Sequence, residues 1–106
     1  NANFRFVNAV IKIGNDCLFA KNVTILTRSY HLDKNKKIST ESMYSKDVNI
    51  GNNVLIGGNV IIMPGVTIGN NSVVGAGSIV TKNIGDLEIW TGVPAKFVRK
   101  RNISEK

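Results

Sequence analysis

The 106-residue sequence predicts an all-β fold, a parallel β-helix assembled from six-residue units. Three observations carry that prediction. An aliphatic or aromatic residue recurs at every sixth position, at Val7, Ile13, Phe19 and Ile25, and again at Tyr44, Ile50, Ile56, Ile62, Ile68, Val74 and Val80. Four positions after these stands a second small or β-branched residue: Ile11, Cys17, Val23, Val48, Val54, Val60, Val66, Ser72, Ser78 and Ile84. Glycine repeatedly follows the leading residue, at Gly14, Gly51, Gly57, Gly69 and Gly75.

A helix would need apolar residues at i, i+3, i+4 and i+7, and a flat strand strict alternation; neither spacing accounts for a period of six. A sandwich places turn signals every 8–12 residues. A six-residue unit is instead a very short strand followed by a corner, and three units close one triangular coil. The leading residue and the one four later then point inward and stack on their equivalents in neighbouring coils. The pairs Asn15-Asp16, Asn52-Asn53 and Asn70-Asn71 fall at corners, where Asn and Asp tolerate left-handed backbone angles and bond locally. The β-branched residues suit the half-buried faces. Cys17 falls on an inward position and is expected to behave as a small hydrophobe.

The period breaks twice. Residues 31–43, HLDKNKKISTESM, are thirteen in number, which six does not divide; they are polar and open on His31, the single histidine of the chain. This reads as a loop thrown out of one corner, the kind of segment on which binding and catalytic groups concentrate. The second break is at Gly85-Asp86-Leu87, after which 88–94 is expected to form a last strand-like piece. The expected organisation is thus a β-helix over 1–95, with 31–43 extruded, and a basic tail over 96–106, with a short helix there as the alternative. Trp90 and Phe97 are expected to cap the last coil.

Composition narrows the function. No apolar run reaches the roughly 18 residues of a membrane span, and one cysteine cannot form an internal disulfide, which fits a reducing, cytoplasmic setting. The net charge of +7 is uneven: +2 over 1–27, +3 over 28–46, −2 over 47–95 and +4 over 96–106. Two basic segments flank a nearly uncharged middle. Nucleic acid is not the expected partner, because the interleaved aromatics of a single-strand binder are missing. One histidine also cannot supply the three that a zinc hydratase on such a fold requires.

The repeat, the His31 segment, the run 75–84 (GAGSIVTKNI) and the run 91–96 (TGVPAK) together resemble the hexapeptide-repeat acetyltransferases, in particular the galactoside and maltose O-acetyltransferases and their relatives in polysaccharide synthesis. The resemblance covers nearly the whole chain, which opens on Asn1 and is expected to be the C-terminal part of a longer family chain. It implies a left-handed coil, an exception to the usual right-handed crossover. It also implies a homotrimer with acetyl-CoA bound between subunits, no metal, and a sugar or polysaccharide-precursor acceptor. By the same resemblance His31 is the catalytic histidine. Gly58, Ala76, Thr81, Lys82, Lys96 and Arg99 are the contacts to acetyl-CoA, and Asn3 and Asn8 bind the acceptor. Leu55 stands where many relatives carry tryptophan, Gly58 where serine is common, and Asn8 where an acidic ligand is found.

The chemistry these residues imply is direct acyl transfer. An imidazole near neutrality is largely a free base. Within hydrogen-bond reach of a hydroxyl it can take the proton as the oxygen attacks a thioester, an effect worth roughly 10²–10⁴ in rate. Asp33, Glu41 or a backbone carbonyl could orient that ring. Arginine offers phosphate a bidentate fork and lysine a point charge. The alternatives are an amine or serine acceptor, or a non-catalytic trimerisation domain.

Overall fold

In a computed structural model the protein is described over residues 9–32, 37 and 43–102, and these form thirteen strands and no helix. Strands β1 (Ile11–Ile13), β2 (Leu18–Phe19) and β3 (Thr24–Ile25) make the first coil. Strands β4 (Arg28–Tyr30) and β5 (Met43–Ser45) leave it as an antiparallel ribbon. The second coil is β6 (Val48–Ile50), β7 (Leu55–Ile56) and β8 (Ile61–Ile62), and the third β9 (Thr67–Ile68), β10 (Val73–Val74) and β11 (Ile79–Val80). Strands β12 (Glu88–Gly92) and β13 (Ala95–Lys100) close the stack.

The three faces are the sheets β1-β6-β9, β2-β7-β10-β12-β13 and β3-β8-β11, parallel throughout except for the β12–β13 pair. This is the expected left-handed parallel β-helix. Between the second and third coils partners stand 18 residues apart, as in Leu55 with Val73 and Ile61 with Ile79. Between the first and second they stand 37 apart, as in Leu18 with Leu55, an excess of 19 residues spent on the β4–β5 excursion.

A two-residue strand cannot hold itself; each coil is stable only against its neighbours. The side chains that join them are those of the six-residue period. Ile50, Ile56, Ile62, Ile68, Val74 and Val80 are buried in one column, with Val48, Val54, Val60, Val66 and Ile84 beside them. Ser72 and Ser78 are buried in the second column, their hydroxyls donating to the carbonyls of Gly69 and Gly75. Burial without a partner would be costly; with one, a small polar residue fits where the coil is tight. In the first coil Ile11 and Ile13 are 42% and 47% exposed. Among the described residues that coil has a neighbour on one side only.

The corners repeat as regularly as the core. Asn53, Asn59, Gly65, Asn71 and Gly77 all have positive φ, six residues apart, and Asp16 and Asn22 do the same in the first coil. The preceding asparagines form a ladder along the helix axis. Asn52 Oδ1 accepts from the Asn15 amide at 2.8 Å, Asn70 Oδ1 from Asn52 at 2.7 Å, and Asp86 Oδ1 from Asn70 at 2.8 Å. That ladder explains the glycines beside it: a Cβ on Gly51 would collide with the Asn70 carboxamide, and one on Gly69 with the Asp86 carboxylate.

Three expectations are corrected. The six-residue register does not resume at Tyr44, which lies in β5 and pairs with Ser29 of β4; the stack resumes at Val48. Among the described residues no helix follows residue 94: Ala95–Lys100 is a strand, because the chain reverses at Val93-Pro94 and β13 satisfies its backbone against β12. Its cations are partly tied down, with Lys100 Nζ 3.0 Å from the Asp86 carbonyl oxygen and Arg101 Nη1 2.9 Å from that of Asn71. Phe97 does not cap the coil, being 50% exposed, whereas Trp90 packs against the core. Among the described residues no helix is long and apolar enough to cross a membrane.

Candidate active site

His31 follows the last paired residue of β4, since Tyr30 stands opposite Met43. Its exposed imidazole lies against the Tyr44 ring, centroids 4.4 Å apart and planes at 31°. The Lys46 ammonium stands 5.5 Å from the centroid of the same tyrosine, inside the range of a cation–π contact. Asp33 and Glu41, the acidic groups considered for orienting His31, lie outside the described residues, as do Asn3 and Asn8. Tyr44 was hidden from sequence reasoning by its own position: it falls on the six-residue period and so reads as a core residue.

A second cluster lies at the C-terminal end of the stack. A groove of ≈230 Å³ is lined by Thr81, Lys82, Lys96, Trp90, Pro94 and Phe97, with Ala95 at its floor. It brings three of the expected acetyl-CoA contacts together, Thr81, Lys82 and Lys96, although they come from the end of β11 and the start of β13. The apolar walls were the missed part. Trp90 is fixed by its neighbours: Nε1 donates to Glu88 Oε1 at 3.0 Å, and the same oxygen accepts from the Gly85 amide at 2.7 Å. These bonds, the Trp90 indole first, hold the Glu88 carboxyl below its usual range, and Lys100 at 3.5 Å adds to the effect. Trp90, so held, lines the groove together with Lys82 and Lys96.

Gly58 and Ala76 occupy a different place, the corner between the second and third faces. There the Gly77 amide donates to the Gly58 carbonyl at 2.8 Å. A Cβ on Gly58 would meet only ordinary contacts, 3.5 Å from the Lys21 carbonyl oxygen, so serine would fit. One on Gly57 would press into the Ala76 backbone. Arg99 is not among the groove residues; it pairs with Ile89 in the sheet, and its Nη1 donates to the Lys100 carbonyl at 3.1 Å. Among the described residues no three His, Cys, Asp or Glu side chains cluster as metal ligands would.

Residues 47–82 match the family model described as bacterial transferase hexapeptide (six repeats). Over those residues the chain carries the hexapeptide repeat of that family. Within it, galactoside O-acetyltransferase of Escherichia coli K12 is 44% identical over 108 residues, covering 99% of this chain and 53% of the relative. Among solved structures, a galactoside acetyltransferase in complex with coenzyme A is 46% identical with a TM-score of 0.77, over 87% of this chain and 46% of that one. A hexapeptide-repeat acetyltransferase of Vibrio cholerae, complexed with acetyl coenzyme A, is 35% identical with a TM-score of 0.81, over 87% and 50%. The chain thus spans about half the length of the hexapeptide-repeat relatives it matches.

Proposed function

We propose that the protein is an acyltransferase that moves an acetyl group from acetyl-CoA to a hydroxyl of a sugar or polysaccharide precursor, with His31 as general base. The observation that carries this reading is the similarity, along 99% of the chain, to a galactoside O-acetyltransferase, joined to the place of the one histidine at the mouth of the β4–β5 excursion. His31 takes the acceptor hydroxyl proton as that oxygen bonds to the acetyl carbonyl carbon. The carbon–sulfur bond breaks, and the imidazolium returns its proton to the departing thiolate. Transfer is direct, and Cys17 takes no part: it is half-buried in the first coil, its Sγ 3.1 Å from the Gly51 carbonyl oxygen.

The groove suits part of acetyl-CoA. Lys82 and Lys96 offer point charges to its phosphates, Trp90, Pro94 and Phe97 an apolar surface to its base, and Thr81 a hydroxyl. The backbone at Gly58 and Ala76 can serve a ligand's amides, and Arg99, which donates one bond from Nη1 to the Lys100 carbonyl, has further N–H groups for a phosphate. A homotrimer with sites between subunits is supported by the second face. There Leu18, Leu55, Val73 and Ile89 stand in register as an aliphatic ladder, with Leu18 69% and Leu55 44% exposed. Such ladders mark surfaces that are covered in an assembly.

The test is acetyl-CoA-dependent thiol release across a panel of galactosides, other simple sugars and amino sugars, with the product's acetyl position read by NMR. Sugar-stimulated release with an O-acetyl product supports the reading. An N-acetyl product alone would move the acceptor to an amine, and absence of acetyl-CoA binding would favour a trimerisation domain.

A further inference from the structure

We infer that Tyr44 is a positioning residue that holds the His31 imidazole in its working orientation through ring contact. The inference rests on the reading of His31 as the base and goes beyond it by naming what aims the ring. His31 sits one residue past the final Tyr30–Met43 pair, while Tyr44 pairs with Ser29. The two side chains are therefore diagonal neighbours across an antiparallel ribbon, a spacing that aromatic side chains can bridge. They do so, at 4.4 Å between centroids with the planes tilted by 31°, a direct contact between the two rings.

Among the described residues the Tyr44 ring is the imidazole's partner. The tyrosine is itself restrained: it is half-buried in β5, and Lys46 Nζ stands 5.5 Å from its ring centroid. An exposed histidine at the mouth of an excursion would otherwise sample several rotamers, and few of them would aim one ring nitrogen at an acceptor. Catalysis by a base depends on that aim, since a displacement of about 1 Å can cost roughly 100-fold in rate. The role belongs to the ring face; no step uses the phenol hydroxyl. That separates Tyr44 from a second acid or base and specifies which substitution is tolerated.

The sequence supplies a clean probe, because the chain has one histidine and so one imidazole Hε1 resonance. In the wild-type protein that signal is expected to be displaced upfield by the Tyr44 ring current. Tyr44→Phe should keep the displacement and keep kcat within about threefold, with the ring contact intact. Tyr44→Leu should abolish the displacement and lower kcat roughly 10- to 100-fold, with the KM for acetyl-CoA little changed. The rates are taken with acetyl-CoA and whichever panel sugar gives wild-type turnover.

A wild-type Hε1 signal at the position of a free histidine would overturn the inference without any variant. So would full activity in Tyr44→Leu, or inactivity in Tyr44→Phe, which would hand the role to the hydroxyl. His31→Ala keeps the two levels apart. If it is inactive while Tyr44→Leu is normal, positioning by Tyr44 fails and the base stands; if it is fully active, the base reading fails and takes the inference with it.

Discussion

The second and third coils and the β4–β5 ribbon are built from the same chain under opposite rules. In the coils the side chains of the repeat are held by their equivalents in the adjacent coil. Isoleucine stacks on isoleucine, asparagine bonds to the next corner, and glycine stands where the ladder leaves no room for a Cβ. The ribbon stands outside that stack, in a sheet of its own two strands. Arg28–Tyr30 and Met43–Ser45 pair with each other, and the groups at the open end, His31 and Tyr44, are in ring contact. A solenoid distributes its stability over nearest neighbours, so a segment that leaves the stack can change without unmaking it. Rigidity and chemistry are thereby separated along the sequence.

The sharpest way to break the comparison is to damage the repeat. Ile62 is fully buried in the second coil and packs between the first and third. Ile62→Ala is expected to cost about 2–5 kcal/mol, lowering the melting temperature by several degrees or more. A loss under 1 kcal/mol by denaturant titration would mean that the coils do not share their stability as described.

A smaller effect tests the corner ladder. Gly51→Ala puts a methyl group against the Asn70 carboxamide and is expected to cost about 1–3 kcal/mol. Because the clash is with a side chain, Asn70→Ala in the same protein should recover part of that loss, and the two changes should be clearly non-additive in a double-mutant cycle. Strict additivity would show that the glycine is needed for some other reason.

The smallest expected effect is at the C-terminal end, where Glu88 ties Trp90, Gly85 and Lys100 together. Its folded carboxyl titrates below the unfolded one, so its contribution is complete above the ordinary glutamate value and is lost as pH falls through the lowered one. Amide exchange at Gly85 should therefore quicken at acid pH relative to the central coils, beyond the intrinsic pH dependence of exchange. Glu88→Gln should flatten that difference. Equal behaviour of the two proteins across the acid range would remove Glu88 as the tie.

Most of the fold was legible because the period is a packing requirement: Ile56 and Ile62 are fully buried in an aliphatic column, where a polar group would lose its water, so the pattern cannot drift. The corners were half legible. Asn-Asn pairs announced some of them, whereas the lone Asn22 and Asn59, which also take positive φ, gave no paired signal. The site was less legible for the same physical reason that makes it a site. Lys82 and Lys96 meet only after the chain reverses at Val93-Pro94, a turn that no six-residue period encodes. Tyr44 imitates a core position by coincidence of spacing. The strand over Ala95–Lys100 was missed because its stability comes from pairing with β12, a contact the basic composition of the segment does not announce.

The separation of framework from chemistry is tested most directly by His31→Ala, measured for both properties in one preparation. Sugar-stimulated thiol release from acetyl-CoA is expected to fall at least about 100-fold, while stability changes by no more than roughly 0.5 kcal/mol, as for an ordinary exposed position. A variant that keeps its activity, or one that loses it only because the coils unfold, would contradict that separation.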